Sequence, residues 1–117
     1  MENLFKEMAQ KIRIFMGISI IEDPYEKNSS ETLLHSIPLR AIISDVSPAS
    51  SVWKMPGIVS EKTKQIIIEK KYESLLKQSQ KIRIDGEDYY GYKVNGRLSY
   101  TIEQDYLRAY VYIKKES

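Results

Sequence analysis

The stretch KIRIDGEDYYGYKVNG, residues 81–96, decides the fold class of this chain. It contains short runs of β-branched and aromatic residues, and each run ends at a glycine turn, Asp85-Gly86 or Asn95-Gly96. Asp-Gly and Asn-Gly are strong β-hairpin signals because both residues tolerate a positive φ. The stretch therefore predicts consecutive antiparallel strands.

The same pattern continues to the C-terminus as a meander. The runs KIRID, DYYGYKV, RLSYTIE and YLRAYVYIKK follow one another, with Gln104-Asp105 as the last turn between them. In the final run the side chains alternate with a period of two, which is typical of a strand with one buried face. The aliphatic row, predicted to be core, is Leu107, Ala109, Val111 and Ile113, and the opposite row is Tyr106, Arg108, Tyr110 and Tyr112.

The rest of the chain predicts further strands and little helix. Residues 1–10 have apolar side chains at helical spacing, whereas residues 11–20 and 37–44 alternate with a period of two. The β-branched run at 65–72 predicts a third strand, and 73–79 a single helical turn. Residues 1–117 are therefore expected to form one mainly β domain, a small β-barrel or sandwich with a C-terminal meander and a short N-terminal helix.

The turn at Asn95-Gly96 also sets the register of its flanking strands, because a one-residue slip moves every side chain to the other face. A two-residue loop pairs Val94 with Arg97 and mixes apolar with polar residues on each face. A three-residue loop, with Gly96 in the left-handed conformation as a bulge, pairs Tyr92 with Leu98. We therefore predict the three-residue loop.

This register fixes the faces of the tyrosines. It pairs Tyr90 with Tyr100 and places both, with Tyr92, on the face that packs the barrel. Tyr89 then lies on the opposite, wetter face.

Composition limits the chemistry open to the chain. Its 117 residues, 42% hydrophobic and 29% charged, have the size and make-up of one ordinary globular domain. With no cysteine and a single histidine, it has no disulfides or thiolate metal sites. The net charge of +2 argues against a dedicated polyanion binder. The N-terminal MENLFKEMAQ resembles neither a secretion signal nor a membrane span, so no membrane partner is expected.

Enzyme motifs also find no support. Residues 51–54 have the S-x-x-K spacing of serine acyl enzymes, but the companion motifs are missing. Asp85, Glu87 and Asp88 cluster around a glycine without the ligand spacing of an EF-hand, which indicates a solvated turn. We therefore expect a non-enzymatic protein with no catalytic residues, no metal and no cofactor.

Residues 47–62, SPASSVWKMPGIVSEK, form a long loop without a regular period. Loops of this length are uncommon unless they are functional or disordered. This one carries apolar residues and the only tryptophan, and Trp and Met are enriched where proteins meet. Trp53 either folds back to plug one mouth of the barrel or is presented to a partner. The candidate contact residues are Trp53, Lys54, Met55 and Ile58.

The aromatic row of the last strand has three open interpretations. Tyrosine packs well on a half-exposed strand and needs no ligand there. It is also favoured at protein interfaces. Alternating aromatic and arginine side chains on a barrel surface can instead stack and hold single-stranded nucleic acid. Tyr106, Arg108, Tyr110 and Tyr112 are therefore candidate binding residues.

The order of these pieces resembles the small head-completion proteins of tailed bacteriophages, also called head-tail connector or head-closure proteins. The likeness covers roughly residues 33–115. It is strongest at residues 81–92, where an I-x-I-D-G-x-x-Y run follows a Y-x-x-L turn at 72–75.

The resemblance implies a homo-oligomeric ring at the neck of the virion, assembled in the cytoplasm of the host bacterium. The ring would join the portal or connector to the tail proteins, and its loops would help to retain packaged DNA in the channel. The alternatives are another phage ring protein, such as a tail terminator, and a small barrel that binds single-stranded nucleic acid.

Overall fold

The alternating segments form a sheet that closes on itself. The computed structural model describes residues 2–21, 30–58 and 62–113. The elements follow in the order α1 (Glu2–Met8), β1 (Gln10–Ile21), β2 (Ser30–Asp45), α2 (Pro48–Lys54), β3 (Thr63–Glu69), a 3-10 turn (Lys70–Tyr72), α3 (Glu73–Lys77), β4 (Ser79–Ile84), β5 (Glu87–Gly91), β6 (Lys93–Val94), β7 (Arg97–Leu98), β8 (Tyr100–Glu103) and β9 (Tyr106–Tyr112).

In the part of the chain that the structure describes, six strands close into a barrel. Going around it, β1 pairs with β2, β2 with β3, β3 with β9, β9 with β5, β5 with β4, and β4 again with β1, all antiparallel. Closure leaves fewer unpaired strand edges than an open sheet of the same strands. The predicted mainly β fold, in its barrel form, is confirmed.

The core comes from the rows that alternation predicts in β1, β2 and β9. In β9, Leu107, Ala109 and Val111 are buried, whereas the residues between them are half-buried. The buried cluster consists of Ile12, Ile14, Leu39, Ala41, Ile66, Ile68, Leu76, Ile82, Ile84, Tyr89, Leu107, Ala109 and Val111. Burying an aliphatic side chain of this size contributes about 1.5–3 kcal/mol, so this cluster is the main source of stability.

Two predicted turns are confirmed. Asp85 and Gly86 both have positive φ and join β4 to β5 in a two-residue loop. Gln104 also has a positive φ, and with Asp105 it joins β8 to β9. The third strand is shorter than predicted, because residues 70–72 form a 3-10 turn that leads into α3.

The predicted three-residue loop at Asn95-Gly96 is wrong. Both residues have positive φ, and Val94 pairs with Arg97, as in a two-residue type I′ turn. The prediction assumed that the two flanks pair with each other along their whole length. Instead, β5 and β8 both pair with β9, and the β6–β7 hairpin leaves the sheet between them.

The predicted faces of β5 are consequently inverted. Tyr89 is buried in the core, whereas Tyr90 is half-buried. The cause is the tight Asp85-Gly86 turn, which pairs Tyr89 with the buried Ile82. Side chains of paired residues share a face, so Tyr89 must point inward. The predicted pairing of Tyr90 with Tyr100 is also wrong, because Tyr90 pairs with Tyr112.

The β1–β2 hairpin extends past the barrel wall. Its register is continuous from residues 10 and 41 to residues 21 and 30, but β4 pairs with β1 only at residues 13–16 and β3 pairs with β2 only at 42–45. Residues 17–21 and 30–34 are therefore a two-stranded ribbon whose outer edges have no strand partner in the described ranges. Such ribbons are at best marginally stable alone.

The segment at 47–62 contains more structure than the predicted loop. Residues 48–54 form α2, and the Ser47 hydroxyl accepts a hydrogen bond from the Ser50 backbone N–H at 3.2 Å. A serine N-cap followed by proline is a helix start signal, because proline fits the first helical turn. Because α2 is short, the sequence shows no helical period there. Residues 59–61 of the segment lie outside the described residues.

Candidate functional site

The aromatic row of β9 runs along the outside of the barrel. Tyr106, Arg108, Tyr110 and Tyr112 are all half-buried and alternate with the core residues. The row is not uniformly open, because α1 covers one end and α2 covers the middle.

The end at Tyr106 is covered by α1. The rings of Phe5 and Tyr106 lie 5.2 Å apart between centroids and are tilted by 32°. Beside them, Arg108 Nη2 donates to Glu103 Oε2 at 2.9 Å. Arg108 Nε is buried and has no hydrogen-bond partner among the described residues. An unpaired buried donor costs about 1–3 kcal/mol, so this nitrogen lowers the stability of the fold.

A pocket of about 400 Å³ opens at this end of the row. Its walls combine apolar side chains from three elements with the Arg108–Glu103 ion pair. The lining residues are Phe5, Ile42, Ile67, Glu103, Gln104, Tyr106 and Arg108. Sequence reasoning identified only Tyr106 and Arg108 here, because Ile42 and Ile67 belong to segments distant in sequence that meet only when β2 pairs with β3.

The middle of the row is covered by α2. Lys54 Nζ donates to the Tyr110 hydroxyl at 2.9 Å and lies 5.0 Å from the centre of its ring. The turn after α2 is fixed in the same region, since the Tyr92 hydroxyl donates to the Pro56 carbonyl at 2.9 Å. Tyr92 also donates its backbone N–H to the Tyr110 carbonyl. Lys54 and Tyr110, two predicted contact residues, therefore lie together.

Trp53 and Met55 have opposite environments although they are two residues apart. Met55 is completely buried, whereas the Trp53 side chain is 84% exposed. The alternative in which Trp53 plugs the barrel is therefore wrong, and Met55 is the side chain that is buried instead. Trp53 is presented to solvent on a short helix that is held at both ends.

The far end of the row opens into a third region. Ile58 and Tyr112 both line a groove of about 460 Å³, together with Gly91, Lys81 and Lys93. The predicted site residues thus fall into three places along β9. These are the Tyr106–Arg108 pocket, the Trp53-bearing helix over Tyr110, and the groove beside Ile58 and Tyr112.

The acidic residues that follow the β4–β5 turn form ion pairs with basic residues. Glu87 Oε1 lies 2.7 Å from Lys62 Nζ. Asp88 accepts hydrogen bonds from Arg83 at 3.0 Å and Lys81 at 3.1 Å. The hydrogen bond from Arg83 is the main reason that the pKa of Asp88 lies below its usual value. No cluster of His, Asp or Glu suited to a metal ion occurs in the described ranges.

A second neutralised pair lies at the same end of the barrel, in a pocket that Glu87 and Lys62 also line. Lys64 Nζ lies 2.7 Å from Asp45 Oδ1 and 6.0 Å from the centre of the Tyr89 ring. The hydrogen bond between them lowers the pKa of Asp45 and raises that of Lys64, whereas burial raises the pKa of Tyr89. These shifts favour the ordinary charge states at neutral pH, so they do not indicate a group prepared for acid–base catalysis.

Comparison of the chain with protein-family models, curated proteins and solved structures finds no match. Within the described residues, no helix has the length and apolar character needed to cross a membrane. The functional argument therefore rests on the geometry of the exposed surfaces.

Proposed function

We propose that this protein is a non-enzymatic structural subunit of a ring at the neck of a tailed bacteriophage. The ring joins the portal or connector to the tail and helps to close the DNA channel. In this proposal the protein resides in the virion neck and assembles in the cytoplasm of the host bacterium. The resemblance at residues 81–92 supplies the biological setting, and the barrel supplies surfaces suited to assembly.

The observation that carries the proposal is the β1–β2 ribbon. Ile18 and Ile20 follow the same two-residue period as the buried Ile12 and Ile14, and the β1–β2 register continues without a break. Past residue 16 no further strand pairs with β1 in the described ranges. A ribbon with core-like sequence and open edges is a surface that another chain can pair with or cover. A ring subunit needs such a surface.

A role in single-stranded nucleic-acid binding receives less support from the geometry. Stacking platforms require open aromatic faces along a basic groove. Here the Tyr106 ring packs on Phe5, and the hydroxyl of Tyr110 accepts a hydrogen bond from Lys54. Nucleic-acid binding through this row would appear as an affinity that falls steeply with salt.

Immunogold electron microscopy on gradient-purified particles from the source culture tests the proposal. We expect label at the head-tail junction. Label at the end of the tail would indicate a tail terminator instead, and unlabelled particles beside abundant free protein would refute a virion role.

Ribbon variants connect this test to the structure. Ile18→Thr with Ile20→Thr keeps β-branched residues in the strand but replaces two apolar side chains with polar ones. We expect the double variant to keep the melting temperature of the barrel and to be lost from particles. Ser19→Thr, at the intervening position, is the matched control and should assemble normally. Equal incorporation of both variants would show that the ribbon is not an assembly surface.

A further inference from the structure

We propose that Trp53 of one copy inserts into the apolar pocket beside Tyr106 and Arg108 of a second copy, which joins the chains head to tail. This inference rests on the proposed function, because it names one contact by which ring subunits would join. It is nevertheless tested separately from the location of the protein in a particle.

The inserting side chain is large, and the backbone that carries it is held by neighbouring residues. Trp53 is 84% exposed, while its neighbour Lys54 bonds to Tyr110 and Met55 is buried in the core. The Ser47 cap fixes the start of the same helix. Little backbone freedom is therefore lost when the indole is buried, which is a condition that favours an interface hot spot.

The receiving pocket has the size and chemistry for an indole. Its volume is about 400 Å³, and its lining includes Ile42 and Ile67, which are direct neighbours across β2 and β3. On the next strand, Ile67 pairs with Arg108. Guanidinium groups bind the faces of aromatic rings, and tryptophan is the best such partner.

Charge complementarity favours a second copy as the occupant. Residues 47–58 contain one basic residue, Lys54, and no acidic residue. Glu103 and Gln104 of the β8–β9 turn line the pocket, and both Glu103 and its neighbour Asp105 are exposed. Insertion of Trp53 brings Lys54 towards these two carboxylates. Opposite charges at the rim set orientation and association rate more than they set affinity.

The chain does not fill its own pocket, because Trp53 remains exposed while α2 is fixed over Tyr110. Two different patches that fit each other form a heterologous contact, which produces a ring when its rotation closes. One tryptophan buries at most about 250 Å², whereas a stable interface needs roughly 1,200–2,000 Å². The indole is therefore the anchor of a contact that other surfaces, such as the ribbon, extend.

The single tryptophan gives a direct measurement, because all indole fluorescence comes from Trp53. Emission and acrylamide quenching are followed against concentration up to about 1 mM, the weak end of specific binding. Sedimentation equilibrium is measured on the same samples. We expect self-association to shift the emission to the blue and to protect the indole from acrylamide.

Variants of the indole and of the pocket distinguish specific insertion from nonspecific association. Trp53→Ala and Ile67→Gln should each weaken self-association about 30-fold, the loss typical of a hot spot. Mixing these two variants should form a heterodimer, because one keeps the indole and the other keeps the pocket. Ile102→Ala, which also removes an exposed apolar side chain, is the matched control and should associate like the parent chain. If Ile67→Gln unfolds, Glu103→Lys tests the pocket rim without changing the core.

Association of Trp53→Ala with unchanged affinity would overturn the inference, as would self-association that leaves the indole exposed. A chain that stays monomeric at about 1 mM would overturn it too. If any of these results were obtained while the label still appeared at the neck of the particle, the proposed function would stand and only this contact would be refuted. Confirmed insertion with unlabelled particles would support the contact and refute the neck assignment.

Discussion

The packing of α2 predicts that two neighbouring residues will differ sharply in their contribution to stability. Met55 is completely buried, so Met55→Ala leaves a cavity between α2 and the barrel. Core substitutions of methionine by alanine cost about 2–5 kcal/mol. Trp53→Ala removes a larger side chain, but mostly from water. Surface substitutions of this kind usually change the free energy of unfolding by less than about 0.5 kcal/mol.

Urea denaturation followed by circular dichroism measures both changes, without depending on the fluorescence of the residue that is removed. The protein concentration must be low, because self-association would add stability to the parent chain and not to Trp53→Ala. Equal m-values for the three proteins would show that the same amount of surface unfolds. For Met55→Ala we expect a loss of about 3 kcal/mol and a melting temperature lower by roughly 10 °C.

The reverse result would refute this packing. If Trp53→Ala lost more than about 1 kcal/mol at low concentration, the indole would have to pack against its own chain. If Met55→Ala unfolded at the same urea concentration as the parent, the segment after α2 would not be anchored in the core.

Three further predictions concern the turn and the exposed charges. Gly96→Ala should lower stability by about 1 kcal/mol in thermal denaturation, because φ is +78° there and a side chain is strained in that conformation. Asp88 has a pKa lowered by Arg83, so its contribution is present above the unfolded pKa of about 3.9 and is lost as pH falls through the folded value. Asp88→Asn should therefore flatten the acid side of the stability–pH curve, and an unchanged slope would contradict the pairing. Lys54→Met should remove the contact with Tyr110 at a cost below about 1 kcal/mol, and NMR shifts of that ring should report the loss.

The parts of the fold that were predictable depend on local rules. Alternation in β9 placed Leu107 and Val111 in the core, and the Asp85-Gly86 turn was identified from its φ requirement. The Asn95-Gly96 register failed because it depends on β9, a strand that the local pattern does not include. A two-residue turn at Asp85-Gly86 implies that Ile82 pairs with Tyr89, and this pairing places Tyr89 on the buried face.

Individual residues of the candidate site were predictable, but their arrangement was not, because it too depends on strand pairing between distant segments. The sequence indicated Trp53 and the aromatic row, but not which part of the row lies under α2. The contact between Lys54 and Tyr110 joins residues 56 positions apart, and the pocket joins β2, β3 and β9. Sequence patterns identify which residues face outward, whereas strand order decides which outward residues meet.

Two features proposed for assembly, the ribbon and the Trp53-bearing helix α2, lie outside the closed circuit of strands, whereas the pocket that receives Trp53 is lined partly by β2, β3 and β9. β1 and β2 have 12 and 16 residues, whereas β4 and β3, which flank them, have 6 and 7, and their excess length becomes the ribbon. The β6–β7 hairpin and α2 are likewise insertions between strands that already pair within the barrel. Because closure does not depend on these segments, changes to the exposed residues they carry should alter assembly while leaving the core folded. The exception is Met55, whose buried side chain couples the position of the exposed Trp53 to the stability of the barrel.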